Sequence, residues 1–204
     1  MRARYEQNPG EKAASIAYAR ALRSATRYGE AVAVMQAAAV KAPKDEAVLG
    51  EYGKALADAG ELAQAKDVLT RAYAPDSPRW DVLSAQGAVA DRMGDHETAM
   101  QFYREALKIA PDEPAALANM GLSLALMKQL PEAERLLKQA AASPKADAIV
   151  RADLALVLAL DGRYAEAERV GETDLPPEAA RANVEAIRRM VARDGAARAE
   201  KGSM

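Results

Sequence analysis

His96 is the only histidine in the chain, and there is no cysteine. The side chains that most often ligate metals or shuttle protons near neutral pH are therefore almost missing. A lone imidazole has no second histidine or thiolate to complete a zinc site, so His96 reads as a packing residue. Glu132/Glu134 and Glu166/Glu168 are the candidate acid–base carboxylate pairs. Two residues apart on a helix, such side chains diverge by roughly 200° around the axis and cannot converge on one substrate atom. No G-x-x-x-x-G-K-[S/T] loop, G-x-S-x-G elbow or H-E-x-x-H helix occurs. The expectation is a chain without catalytic, cofactor or metal chemistry. Trp80, the single tryptophan, follows a turn holding Pro75 and Pro78 and is expected to fill the gap beside a short helix. Exposed, it would instead anchor a partner.

The elements that position these residues follow a strict period. Alanine stands at Ala31, Ala65, Ala99, Ala133 and Ala167, and a small residue twelve positions earlier at Ala19, Gly53, Gly87, Gly121 and Ala155. Ala38, Ala72, Ala106 and Ala140 form a third column, which fails at Asp174. Gly60, Gly94 and Gly162 mark one shared turn; Pro43 and Pro111 mark another. A spacing of 34 residues without insertion matches the tetratricopeptide pattern, a helix–turn–helix unit that buries its apolar face by stacking on its neighbours. The columns predict that helices A and B of each unit cross at the small residues. The flanking space is filled by Leu49, Leu83 and Leu117, by Leu22, Leu56, Leu124 and Leu158, and by Leu69, Tyr103 and Leu137.

The predicted fold is all-α: a right-handed superhelix, or α-α solenoid, of about five repeats plus a C-terminal capping helix. Repeats fall at 12–45, 46–79, 80–113, 114–147 and 148–174, after a flexible segment at 1–11. Ser77 is read as the cap of the third helix A, with Pro78 in its first turn. Pro114 and Pro131 fit first turns in the same way, and the prolines after Ala74 predict a short second helix B. Repeat 5 breaks off at Gly171 and Asp174–Pro177. A capping helix at 175–194, with Val184, Ile187 and Val191 on one face, then precedes a frayed tail at 195–204. A net charge near −2 with no basic–aromatic interleaving argues against nucleic acid as a partner. No run of eighteen apolar residues occurs.

In tetratricopeptide arrays the concave surface is lined by helix A. On that pattern the expected protein-binding groove is charged at one end, through Arg20, Arg23, Lys54, Asp58, Asp91 and Arg92. It is aliphatic at the other, through Ala118, Leu122, Leu126, Leu156 and Leu160. Two readings of the aliphatic end stay open: it receives a peptide with aliphatic anchors, or the capping helix covers it. The carboxylate clamp that some tetratricopeptide proteins use for chaperone tails is not expected, because the matching third-repeat positions hold Asp81 and Ala85.

Several stretches go beyond the repeat consensus: Tyr52-Gly53-Lys54-Ala55-Leu56-Ala57-Asp58-Ala59-Gly60, Leu83-Ser84-Ala85-Gln86-Gly87-Ala88-Val89, and the ending Asp174-Leu175-Pro176-Pro177-Glu178. From about Asn8 to Arg193 the chain resembles the TadD-type tetratricopeptide proteins of the tight-adherence (Flp pilus) assembly system. That resemblance implies a non-enzymatic, pilotin-like lipoprotein on the periplasmic face of the outer membrane, with a protein or peptide partner such as a secretin subunit. It implies no small-molecule substrate, and a membrane link only through a lipid anchor. The chain departs from the family in lacking a leader and a lipidated cysteine, so a trimmed mature domain is expected; otherwise the location is cytoplasmic. The alternative reading is a soluble adaptor in a regulatory or cell-envelope complex unrelated to pili.

Overall fold

The computed structural model describes the backbone of residues 2–202 and the side chains of residues 2–3 and 5–193. The chain is all-α, with no strand among the described residues, and divides into two units at Pro111/Asp112. Unit 1 holds α1 (Arg2–Gln7), α2 (Lys12–Ser24), α3 (Tyr28–Lys41), α4 (Glu46–Asp58), α5 (Leu62–Ala72), α6 (Trp80–Arg92) and α7 (His96–Ile109). Unit 2 holds α8 (Pro114–Leu126), α9 (Leu130–Ala141), α10 (Ala148–Leu160), α11 (Tyr164–Gly171) and α12 (Pro177–Gly202). The first helices of the five pairs begin at residues 12, 46, 80, 114 and 148, and the second at 28, 62, 96, 130 and 164. Each pair packs on itself, and within each unit the next pair packs on the one before.

The 34-residue period has a backbone cause and a packing cause. The turn inside every pair passes through one left-handed residue: Thr26 (φ 57°), Gly60 (86°), Gly94 (84°), Lys128 (62°) and Gly162 (80°). The N–H of the next residue then donates to a carbonyl five positions back, as Glu61 does to Leu56 and Gln129 to Leu124, both at 2.9 Å. This bond closes the helix end and turns the chain. Glycine takes that conformation freely; threonine, branched at Cβ, and lysine do so under strain.

Packing fixes the crossing. Ala31, Ala65, Ala99, Ala133 and Ala167 are all fully buried. A Cβ placed on Gly53 would lie 2.5 Å from Leu69 Cγ, one on Gly87 2.5 Å from the Tyr103 ring, and one on Gly121 2.9 Å from Leu137 Cγ. Helix A therefore lies against a large side chain of helix B with no room for a methyl group. Across the first three pairs the core continues through Leu22, Met35 and Val48, then through Leu56, Leu69 and Val82.

Start signals explain the other boundaries. Glu11, Asp45 and Asp147 each accept two backbone N–H groups at the start of α2, α4 and α10. Pro114 and Pro131 stand in the first turns of α8 and α9. α6 differs from expectation: it begins at Trp80 with Arg79 as its N-cap, two residues beyond Pro78. The extended backbone at Arg79 (φ −112°, ψ 120°) keeps Ser77 and Pro78 in the turn, so neither enters the helix. α5 has 11 residues where α3 and α7 have 14, in line with the prolines that follow it. Within the N-terminal segment expected to be loose, residues 2–7 are helical, and the Tyr5 ring lies 5.1 Å from that of Tyr18. α12 buries Ala180 and Val184, and its backbone continues through Gly202 across most of the expected tail. The tail's side chains and residues 203–204 lie outside the described residues.

Two substitutions check these causes. Gly87→Ala is expected to lower stability by about 1–3 kcal/mol in urea denaturation, because the buried Tyr103 ring cannot withdraw. Lys128→Gly is expected to raise it by about 0.5–1 kcal/mol by removing the left-handed strain.

Candidate functional site

Four of the six charged positions expected to line a groove, Arg20, Arg23, Lys54 and Asp58, are joined in one network. Glu51 of α4 lies at their centre, with its side chain only 2% exposed. Arg20 donates to it through Nε (3.0 Å) and Nη2 (2.8 Å), and Lys54 Nζ approaches its Oε1 at 3.1 Å. Arg23 lies 3.6 Å from Glu51 and bonds Asp58 at 2.6 Å. Lys54 also reaches Asp81 Oδ2 at 2.6 Å, and Arg79 holds Asp81 from the other side. A ladder of charge thus runs α2–α4–α6, cations and anions alternating. Burial would raise the Glu51 carboxyl, but the bonds from Arg20 and the charge of Lys54 outweigh it and hold it below the ordinary range. Asp81 is held down against burial in the same way by Lys54 and Arg79.

Asp91 faces inward. Its carboxylate lies 2.8 Å from His96 Nδ1 and accepts the Tyr103 hydroxyl at 2.9 Å, both from α7. The lone histidine and the large tyrosine of the crossing are satisfied by one aspartate inside their own helix pair, and burial beside Asp91 pushes the Tyr103 hydroxyl upward. Arg92 is exposed and donates to the Ala57 carbonyl. Trp80 is half-buried.

Unit 2 is different. α8 carries no charged side chain along its whole length. Ala118 is buried, Leu122 is half-buried, and Leu126 is 61% exposed; on α10 Ile149 is 69% exposed, while Leu156 and Leu160 are half-buried. Leu156 and Ala152 line an open cavity of about 330 Å³ with Asn183, Val184 and Ile187 of α12. The capping helix thus approaches one flank of α10, while Leu126 and Ile149 stay in solvent.

Sequence reading missed Glu51 and Asp153, which share a repeat position outside those expected to line the groove. Their signal was present for Glu51: an acidic residue between Arg20, Arg23 and Lys54 in the neighbouring columns. Asp153, half-buried on α10, makes no hydrogen bond or ion pair among the described residues. Burial, then the charge of Asp147, pushes its carboxyl up to about 6. Among the described residues no group of three or more His, Cys, Asp and Glu could hold a metal ion. No helix among them is long and apolar enough to cross a membrane.

The two carboxylates predict opposite pH effects. Glu51 is held below its ordinary 4.5, so its contribution is whole above that value and is lost as the pH falls through the lower folded-state value. Glu51→Gln is expected to cost about 1–3 kcal/mol near neutral pH, with the deficit shrinking below about pH 4. Asp153 rises from 3.8 to about 6, so folding is penalised as the pH climbs through that window. Asp153→Asn is expected to raise the urea midpoint above pH 6 and to leave it nearly unchanged by about pH 4.

Comparison with known proteins follows the repeats. Family descriptions of the tetratricopeptide repeat match residues 52–114 and 92–152. The probable biofilm formation methyltransferase WspC of Pseudomonas putida is 35% identical over 86 residues, 42% of this chain and 20% of that protein. Its Pseudomonas aeruginosa counterpart is 34% identical over 95 residues, 46% of this chain and 22% of that one. The chain therefore spans about a fifth of the length of the curated relatives it matches. Among solved structures it is similar to TTC0263, a tetratricopeptide protein of Thermus thermophilus (TM-score 0.71, 21% identity, 85% of this chain and 98% of that one). It is similar also to PilW, a type IV pilus biogenesis factor (0.70, 16%, 88% and 85%), and to YrrB, a tetratricopeptide protein with an unusual peptide-binding site (0.55, 16%, 89% and 95%). At these identities the likeness is one of fold.

Proposed function

We propose that the chain is a non-enzymatic protein-binding scaffold whose helix A faces hold a segment of another polypeptide. The observation that carries the reading is the uncharged α8, whose last residue Leu126 is in solvent, with Ile149 exposed on α10. Exposed aliphatic side chains on rigid, well-packed helices suit a partner's apolar anchors. A repeat architecture without a metal cluster among the described residues fits stoichiometric holding better than turnover.

Within that reading, the role we favour is a pilotin-like assembly factor for the Flp (tight-adherence) pilus apparatus. It would act on the periplasmic face of the outer membrane and hold a secretin subunit until the ring assembles. Support comes from the sequence resemblance to TadD-type proteins and from the fold shared with PilW over most of both chains. A second reading, an adaptor in a regulatory complex unrelated to pili, is favoured by the match to WspC, at higher identity over a shorter stretch.

Deletion of the gene in its source organism separates the two. On the pilus reading, secretin multimers disappear from the outer membrane while secretin monomer remains, and the native chain restores them. Normal multimers in the deletion strain would sink it. Leu126→Asp is expected to fold normally and to weaken secretin binding at least about tenfold in calorimetry.

A further inference from the structure

Glu51 and Asp153 stand 102 residues apart, three repeats of 34, at one position of the helix pair. Glu51 has three cations around it: Arg20 and Arg23 from the preceding helix A, and Lys54 one turn along its own helix. The same three positions around Asp153 are held by Leu122 and Ala125 of α8 and by Leu156 of α10. Ala17, Ala85 and Asn119 hold this position in the other units, so the carboxylate recurs at Asp153 with each of its partners replaced by an aliphatic or methyl side chain. On α10, Asp153 shares a face with Ile149, one turn earlier and exposed, and with Leu156, one turn later.

Among the described residues no cation pairs with Asp153, and the neighbouring charge that acts on it is that of Asp147. α8 has no ionisable side chain. Arg151, the other charged residue of α10, forks onto Asp174 at 2.6 Å and donates to the Ala146 carbonyl. On α9, Glu134 is paired with Lys138 and with Arg163, which also binds Glu166 of α11. On α12, Arg188 lies over the Tyr164 ring, with Glu185 near both it and Arg189. A half-buried carboxylate without a partner is costly to the free protein, and a cation brought by a ligand removes that cost. Burial, and then the charge of Asp147, raise the proton affinity of Asp153, and no cation offsets them.

We propose that the α8–α10 face of unit 2 receives a polypeptide segment carrying a lysine or arginine flanked by aliphatic residues, with Asp153 pairing with the cation. This rests on the protein-binding reading above and adds the chemistry of the segment. The flanking side chains meet Leu122, Leu126 and Ile149, while Asp153 reads the charge between them. A segment with an acidic residue at that place is repelled, so the carboxylate also sets selectivity.

Selection of random peptides displayed on phage against the full chain, and in parallel against Asp153→Asn, tests this. The wild-type chain is expected to enrich lysine or arginine between aliphatic residues, and the variant to lose the cation while keeping the aliphatic positions. In calorimetry at neutral pH, a selected peptide should bind Asp153→Asn about ten- to a hundredfold more weakly. Replacing its lysine by norleucine should cost the wild type a similar factor and the variant almost nothing. Enriched peptides without a cation, or equal affinity for both chains, would overturn the proposal and leave the scaffold reading intact. A chain that enriches no peptide at all would overturn both.

Discussion

Everything in this chain depends on how closely two antiparallel helices can approach. Where helix A meets helix B, one side offers a glycine or alanine and the other a fully buried alanine beside a large side chain. At Gly53, Gly87 and Gly121 even a methyl group would collide with that side chain. The contact fixes the phase of each pair. The left-handed residue that closes each turn falls one fixed step later, even where threonine or lysine must adopt it. A pair held this tightly leaves its remaining faces to its neighbours within the unit, and helix A's free face to solvent or to a partner.

On that frame the two units treat the same positions differently. In unit 1 the free face is tied together by charges that satisfy one another around Glu51, so those side chains hold α2, α4 and α6 in register. Mutual pairing lowers what they can offer a ligand, since each contact to a partner must displace an existing one. In unit 2 the scaffold is retained with the charges removed. α8 and α10 present aliphatic side chains, and one carboxylate is left without its cations. The charges around Glu51 are thus neutralised within unit 1, while Leu126 and Ile149 of unit 2 stay exposed.

The helix pairs were legible because their cause is periodic. A column of alanines or glycines survives only where a larger residue would push the axes apart, so spacing alone placed the crossings, and prolines and caps placed most of the ends. What was not legible depends on direction within the fold. Asp91 sits at a position expected to face the groove, yet Tyr103 and His96 draw it inward, because a buried hydroxyl needs an acceptor. Glu51 was passed over because its repeat position lies outside the groove columns, and three converging cations offset the cost of burying its carboxylate. Thr26 and Lys128 gave no hint of left-handed backbone, since their conformation is imposed by the crossing and not by their own preference. The start of α6 shifted because two prolines keep the chain extended as far as Arg79.

The most direct test of the crossing compares two leucines placed two residues apart on α5. Ala65 is fully buried at the crossing, whereas Ala63 is exposed. In urea denaturation at neutral pH, Ala65→Leu should lose about 1–3 kcal/mol of stability, with Ala63→Leu unchanged within about 0.5 kcal/mol. Equal midpoints for the two variants would show that the helices do not meet at the small residues, and the account would fail at its base.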